Sequence, residues 1–343
     1  MVTIVDIAKK AGVSRGTVDR VLHNRGKVSP EKAERVKYYA KQMGYKPNLA
    51  AQGLAARKKQ FQLGFCYLEG RTAPFFEKVC EEAQKCAQEL TQYGVKVSFF
   101  PIPVEHNHDE ERILEFARTY QMDGWVMYGT FGTHYLKAME QLGQEVPPVV
   151  AYNLDMEQRI AFVGCDYVQS GRLACGLAAL MTNQRATVGI ITYYEKNVAS
   201  QNRILGFQQE IESHYPDMKV AEILYLEWYM DQFDVFLQVK SLLERNPQID
   251  TIYLANPGDY SICKAIYKVA EKRQVKIITH DLASQELIEM IKKGEIAATI
   301  GQEPEKQGRE PLELLFNYLA YGKSPEKDWY KTELSIHIQQ NVE

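Results

Sequence analysis

No stretch of the 343-residue chain is apolar enough and long enough to span a membrane. Met1 stands almost at the start of the first expected helix, which leaves no room for a signal peptide and argues against an exported protein. The six cysteines include no C-x-x-C pair. Cys80 and Cys86 fall near one helix, and Cys165 and Cys175 are no more informative, so free thiols in a reducing cytosol are the simplest account. His106 and His108 sit two apart between Asn107 and Asp109, which reads as a solvated loop rather than a metal pair. With no other ligand spacing, no metal and no cofactor are expected. There is no glycine-rich phosphate loop, and the run GTFGTH reads as an accident of a strand end. There is no G-x-S-x-G elbow either. No catalytic residue is expected, and the chain is not read as an enzyme.

What is present is a strong asymmetry of charge. Residues 1–60 carry 14 Lys+Arg against 4 Asp+Glu, and the remaining residues carry 27 against 40. The net charge of −3 conceals a basic head on an acidic body. Such a split points to a polyanion partner for one end only.

The hydrophobic pattern divides the head into three short helices. Thr3 and Asp6 have capping-box spacing before Ile4, Ile7, Ala8 and Ala11, and Gly12 ends that run. Ser14 is placed to cap a second helix with Val18, Val21 and Leu22 on one face. Ser29-Pro30-Glu31 opens a third helix, expected to run to about Met43 and to close at Gly44 and Pro47. Two short helices joined by a turn containing glycine, followed by a third, form a helix-turn-helix domain. Its second helix exposes Arg15, Gly16, Thr17, Asp19, Arg20 and His23 to a major groove, where arginine is suited to guanine.

The run DIAKKAGVSRGTVDRVL resembles the LacI/GalR family of bacterial transcription regulators. Every fixed position of that pattern is matched except two: Asp19 stands where the family has Ser, and His23 where it has Asn. The likeness continues through VSPEKAERVKYYAKQMGYKPN and into NLAAQGLAARK, which is similar to the family's hinge helix. The resemblance implies that Arg15, Gly16 and Arg20 are placed to read bases, with Ser14 and Thr17 at phosphates, and that Asn24 belongs to the same interface. Gly16 lacks a side chain, so half of the usual pair is missing. Asp19 is costly beside DNA unless it is paired, for which Arg15 is four residues away, or accepts from a cytosine amine. In the hinge, about Asn48 to Ala56, the resemblance assigns Leu54, with Ala51 beside it, to the minor groove as an apolar wedge. That segment is too short to be a stable helix alone, and Gly53 weakens it further.

From Phe61 onward strand and helix signals alternate. LGFCYL, VKVSFF, GWVMY, VVAY, TVGIIT, IYLA, VKIIT and AATIG read as buried strands, and FEKVCEEAQKCAQEL, RLACGLAALM, RILGFQQEIESH and SICKAIYKVAEK as amphipathic helices. This predicts an α/β body with parallel sheets, too long for one core and so divided into two lobes. APFFEKVCEEAQ and MDGWVMYG look like the type I periplasmic-binding-protein fold that LacI-family proteins use as a sensor. The expected organisation is an all-α helix-turn-helix domain at 1–47, a hinge at 48–59 and a two-lobed core at 60–343. Lobe 1 is expected at about 60–160 and 303–325, and lobe 2 at about 161–302 and 326–343.

The resemblance also places a ligand in the cleft between lobes. Arg203 in QNRILGF is its most specific match. Asn153, Asn256, Asp281 and Gln302 fall at polar positions, and Phe75 and Phe76 where sugar-binding relatives place a stacking ring. Asp281 also reads as a helix N-cap, Asn153 as a turn residue, and one of the two phenylalanines as core. The expected function is a cytoplasmic, ligand-responsive repressor. Its partners would be a palindromic operator DNA, a second copy of itself in a homodimer, and a sugar or related metabolite, with no membrane. The alternatives are a corepressor-type regulator sensing a nucleobase or nucleoside, and a solute-binding sensor in which the head is secondary.

Overall fold

The computed structural model describes residues 4–22, 28–43, 60–70, 74–193, 197–227, 229–257, 259–270, 273–282 and 284–342. The head consists of α1 (Ile4–Ala11), α2 (Arg15–Leu22) and α3 (Pro30–Gln42). Helices of eight residues do not persist alone in water, so packing holds them. Ile7, Ala8, Ala11, Val18, Val21, Val36 and Ala40 meet in one small buried cluster. Gly12 ends α1 at a φ of +63°, the left-handed conformation expected of it. Ser14 caps α2, its Oγ accepting from the Thr17 N–H at 3.1 Å. Ser29 precedes Pro30 as expected, but its side chain makes no capping bond. Gly44, Pro47 and the whole hinge lie outside the described residues.

The body holds two six-stranded sheets. The first contains β1 (Gln62–Glu69), β2 (Lys96–Pro103), β3 (Gly124–Tyr128), β4 (Val149–Tyr152), β5 (Ala161–Gly164) and β11 (Trp329–Lys331), in the order β11-β5-β4-β3-β1-β2. All its pairings are parallel. The second contains β6 (Thr187–Tyr193), β7 (Lys219–Leu226), β8 (Thr251–Pro257), β9 (Lys276–His280), β10 (Ala298–Gly301) and β12 (Ser335–His337), in the order β12-β10-β9-β8-β6-β7. Only β12 runs antiparallel to its neighbour. The predicted α/β class and the two lobes are what the chain adopts.

The helices follow their strands: α4 (Pro74–Leu90), α5 (Glu110–Thr119) and α6 (Gly129–Gln141) in the first lobe, then α7 (Tyr167–Met181), α8 (Val198–His214), α9 (Gln232–Arg245), α10 (Tyr260–Val269) and α11 (Gln285–Lys292) in the second, and α12 (Pro304–Tyr321) back against the first. Two details differ from the sequence reading. The strands Ala161–Gly164 and Trp329–Lys331 pair in the first sheet, so the chain crosses between the lobes later than the expected lobe limits of about 160 and 325. GTFGTH is not a strand end; it opens α6. Its first glycine is needed because a Cβ at Gly129 would lie 2.2 Å from the Leu154 carbonyl oxygen.

Candidate ligand cleft and nucleic-acid interface

The carboxyl ends of both sheets face one interlobe cavity, the place where open α/β sheets present ligands. Tyr128 ends β3, Asn153 follows β4, Tyr193 ends β6, Asn256 lies near the end of β8 and Gln302 follows β10. Phe75 and Phe76, at the start of α4, complete the wall. The backbone turns sharply out of these strands: Asn153 and Asp281 take φ of +61° and +63°. Asparagine and aspartate tolerate the left-handed region better than other side chains, which accounts for their presence at these two strand ends. The enclosed space is about 80 Å³. Ligand pockets usually hold about 300–1,000 Å³, so the lobes stand close together. Lys78 of the first lobe donates to the Leu282 carbonyl of the second at 2.7 Å.

Six of the seven ligand positions read from the sequence line this cavity: Phe75, Phe76, Asn153, Arg203, Asn256 and Gln302. Both phenylalanines are buried and meet edge to face at 5.2 Å, so both are core and wall at once. Asp281 lies one layer behind. Its Oδ2 accepts from Gln302 Nε2 at 2.9 Å, and the N-cap of the next helix is Ser284, not Asp281.

Arg203 is 1% exposed. Asn197 fixes where its helix begins, its Oδ1 accepting from the Ala199 and Ser200 N–H groups at 2.9 and 3.4 Å. Two glycines then set the helix against α7. A Cβ at Gly171 would lie 1.9 Å from the Arg203 carbonyl oxygen, and one at Gly206 2.0 Å from that of Val168. The guanidinium donates through Nη1 to the Ala255 carbonyl at 3.0 Å, and its Cζ lies 5.0 Å from the Tyr167 ring centroid. Its Nε has no acceptor among the described residues. A buried cation with a donor unmet is costly, and an acceptor on a ligand would relieve it.

The other polar groups are held in place. Asn256 Oδ1 accepts from Thr192 Oγ1 at 2.7 Å and the Tyr193 N–H at 3.0 Å, and its Nδ2 donates to Ser200 Oγ at 3.1 Å. Asn153 Nδ2 donates to Gln307 Oε1 at 3.1 Å, and Gln302 Oε1 accepts from the Cys165 thiol at 3.2 Å. Tyr167 donates to the Asn153 carbonyl at 2.9 Å. Sequence reading missed Tyr167, Asn197, Ser200 and Gln307. Asn197 carried a signal as a capping residue at a loop end; Gln307, inside a helix that also contains Pro311, carried none.

Beneath Arg203 the buried imidazole of His280 shares hydrogen bonds with Tyr253 OH at 2.8 Å and Ser170 Oγ at 3.4 Å. Burial, with Arg203 nearby, pushes its pKa well below the usual value, so it is neutral. Burial raises the Asp281 pKa from 3.8 to about 6, against the opposing pull of Arg203, Gln302 and Lys78. Its Oδ1 also has no partner among the described residues. A carboxyl whose pKa is raised on folding favours the fold fully below the unfolded value and loses that contribution as pH climbs through about 6. In the ligand-free chain, Asp281→Asn is therefore expected to raise the melting temperature at about pH 7.5, by the equivalent of roughly 2–3 kcal/mol. The gain should vanish near pH 4. Melting curves across that range check it, and a pH-independent gain would contradict it.

In the head, Arg15, Gly16 and Arg20 are exposed on α2. Ser14 Oγ and Thr17 Oγ1 share a hydrogen bond at 2.9 Å. Arg20 Nε donates to the Gly16 carbonyl at 3.1 Å. A bidentate guanine contact by Arg20 would then use its two Nη groups. His23, Asn24, Ala51 and Leu54 lie outside the described residues, as does the side chain of Asp19. Removing the charge at Asp19, as Asp19→Ser, is expected to raise affinity for DNA and relax sequence preference. Binding to a set of operator variants measures both, and unchanged affinity would refute it.

Residues 67–324 match the family described as Periplasmic binding protein domain, and residues 3–48 that described as Bacterial regulatory proteins, lacI family. The chain belongs to the LacI family. It is similar along 98% of both chains to the HTH-type transcriptional regulator MalR of Streptococcus pneumoniae, at 24% identity. It is 27% identical to the sucrose operon repressor of Lactococcus lactis, over 72% of this chain and 73% of the relative. Among solved structures, the glucose-galactose binding protein GanP of Geobacillus stearothermophilus shares the fold with a TM-score of 0.67 at 23% identity, covering 82% of this chain and 98% of that one. A solute binding protein of Agrobacterium radiobacter in complex with D-arabinose does so with a TM-score of 0.67 at 18% identity, covering 82% and 95%. This LacI-family chain is thus a DNA-binding regulator with a periplasmic-binding-protein-like core. Among the described residues no helix is long and apolar enough to cross a membrane.

Proposed function

We propose that this LacI-family chain is a cytoplasmic, homodimeric repressor that senses a sugar or closely related metabolite. The observation that carries the sensing half is Arg203, buried at the interlobe cavity with its Nε unmet and framed by fixed amides and aromatic rings. Multidentate amides and a guanidinium suit hydroxyls, and the rings of Phe75 and Phe76 suit the apolar face of a sugar. The relatives named for a sugar operon, and the solute binding protein holding D-arabinose, favour the same chemistry.

A palindromic operator requires a two-fold partner. Tyr225, Phe233 and Leu237 supply exposed apolar surface on the second lobe, the last two sharing one face of α9. The head, taken as 1–47, and the hinge, taken as 48–59, receive the signal when a ligand between the lobes changes how they sit against each other. Operator and ligand must then affect each other by the same factor. A thermal-shift screen of sugars, polyols and nucleosides tests the reading. A sugar is expected to stabilise the chain and change its operator affinity; a sugar that did the first without the second would contradict it.

A further inference from the structure

A second interlobe cavity, of about 430 Å³, lies beside the first and has no part in the reading above. The geometry points to this cavity as a separate binding site for an uncharged nucleoside. Its volume lies within the range of small-molecule pockets. The first lobe supplies Phe162 and Trp329, whose rings stack at 5.9 Å, and the second supplies Val198 and Asn202. Tyr167 joins this aromatic wall from the crossover. Flat rings favour such walls.

Polar groups line the rest. Thr130, Thr133 and His134 of α6 and Asn202 of α8 offer hydroxyl, imidazole and amide groups suited to ribose hydroxyls, with Thr133 Oγ1 already donating to the Gly129 carbonyl at 2.9 Å and left to accept. Two carboxylates, Asp155 and Asp166, can accept from exocyclic amines. Both are already neutralised by cations outside the lining: Arg159 donates to Asp155 at 2.8 Å, and Lys331 to Asp166 at 3.1 Å. Arg159 is further engaged by Asp328, and Lys331 lies over the Trp329 ring. No lysine or arginine lines the cavity among the described residues, so a phosphate would meet carboxylates and no cation. A nucleoside fits this balance where a nucleotide does not.

Tyr167 is a wall of both cavities. It faces Arg203 on one side and holds the Asn153 carbonyl. A nucleoside here would touch both lobes beside their crossovers and couple to the sugar cleft through that ring, reciprocally.

Calorimetric titration of the full chain with adenosine and cytidine tests the site. Saturable binding of one of them, one per chain, is expected. Val198→Trp, at an exposed position, and Thr133→Trp, at another, should each weaken it at least about tenfold while leaving the sugar-induced melting shift intact. No saturable binding of either nucleoside, tighter binding of AMP than of adenosine, or binding indifferent to both tryptophan variants would overturn the site. A chain that binds adenosine but answers to no sugar would instead overturn the sugar reading alone.

Discussion

Arg203→Ala is expected to abolish the rise in melting temperature that the effector produces in the native chain. The guanidinium is nearly solvent-free, and one of its donors is spent on the Ala255 carbonyl. Its Nε is left for the ligand. Charge-assisted hydrogen bonds in such a site are worth roughly twice neutral ones. Losing them on ligand binding costs on the order of 3 kcal/mol, about a hundredfold in affinity. The ligand-free variant should fold, because alanine leaves neither a buried cation nor an orphaned donor. Arg203→Lys should recover only part of the response, since an ammonium keeps the charge but not the planar fork. Melting curves of the three proteins with and without ligand decide the matter. A full shift in the alanine variant would show that the ligand sits elsewhere.

Gly206→Val and Gly171→Val are expected to be the most damaging changes to the second lobe. At both positions the added Cβ lands within about 2 Å of a backbone carbonyl oxygen, and backbone cannot swing aside as a side chain can. The helices α7 and α8 must separate, which removes Arg203 from the cavity as well. Overpacking of this kind costs upwards of about 3 kcal/mol, or about 5 °C or more in a core of this size. Gly176→Ala supplies the contrast. It lies in the same α7, and nothing stands within 4 Å of its added Cβ. Relief of backbone entropy should make that change stabilising by about 0.5–1 kcal/mol. If Gly176→Ala and Gly206→Val altered stability alike, close helix packing would not be what positions the arginine.

The long buried strands and the head were legible because they are strongly patterned. GWVMY and VVAY are apolar throughout and buried throughout, as central parallel strands should be. The strands that escaped notice are short or lie at sheet edges. Trp329–Lys331 and Ser335–His337 have three residues each, and Lys219–Leu226 is an edge strand only partly buried along its length. The helix Pro304–Tyr321 was hidden by Pro311 inside it, and α6 by the glycines that open it. In the cleft, Arg203, Asn153, Asn256 and Gln302 were readable through the family resemblance, and each stands at the end of a strand or near the start of a helix. Asp281 was legible as polar but not as the support behind Gln302, since a sequence does not distinguish a group facing a cavity from one a layer deeper. Tyr167 was not legible at all: its importance comes from where two lobes meet, a relation with no local pattern.

The central claim joins the two ends of the chain: the head reads DNA, and the cleft governs that reading. Enrichment of sequences from a randomised duplex library by the full chain tests it most directly, run with and without the sugar that gives the largest melting shift. The expected result is a palindromic sequence enriched in one condition and lost or weakened in the other, and absent for Arg15→Ala/Arg20→Ala. No enriched sequence, or the same enrichment with and without ligand, would contradict the account.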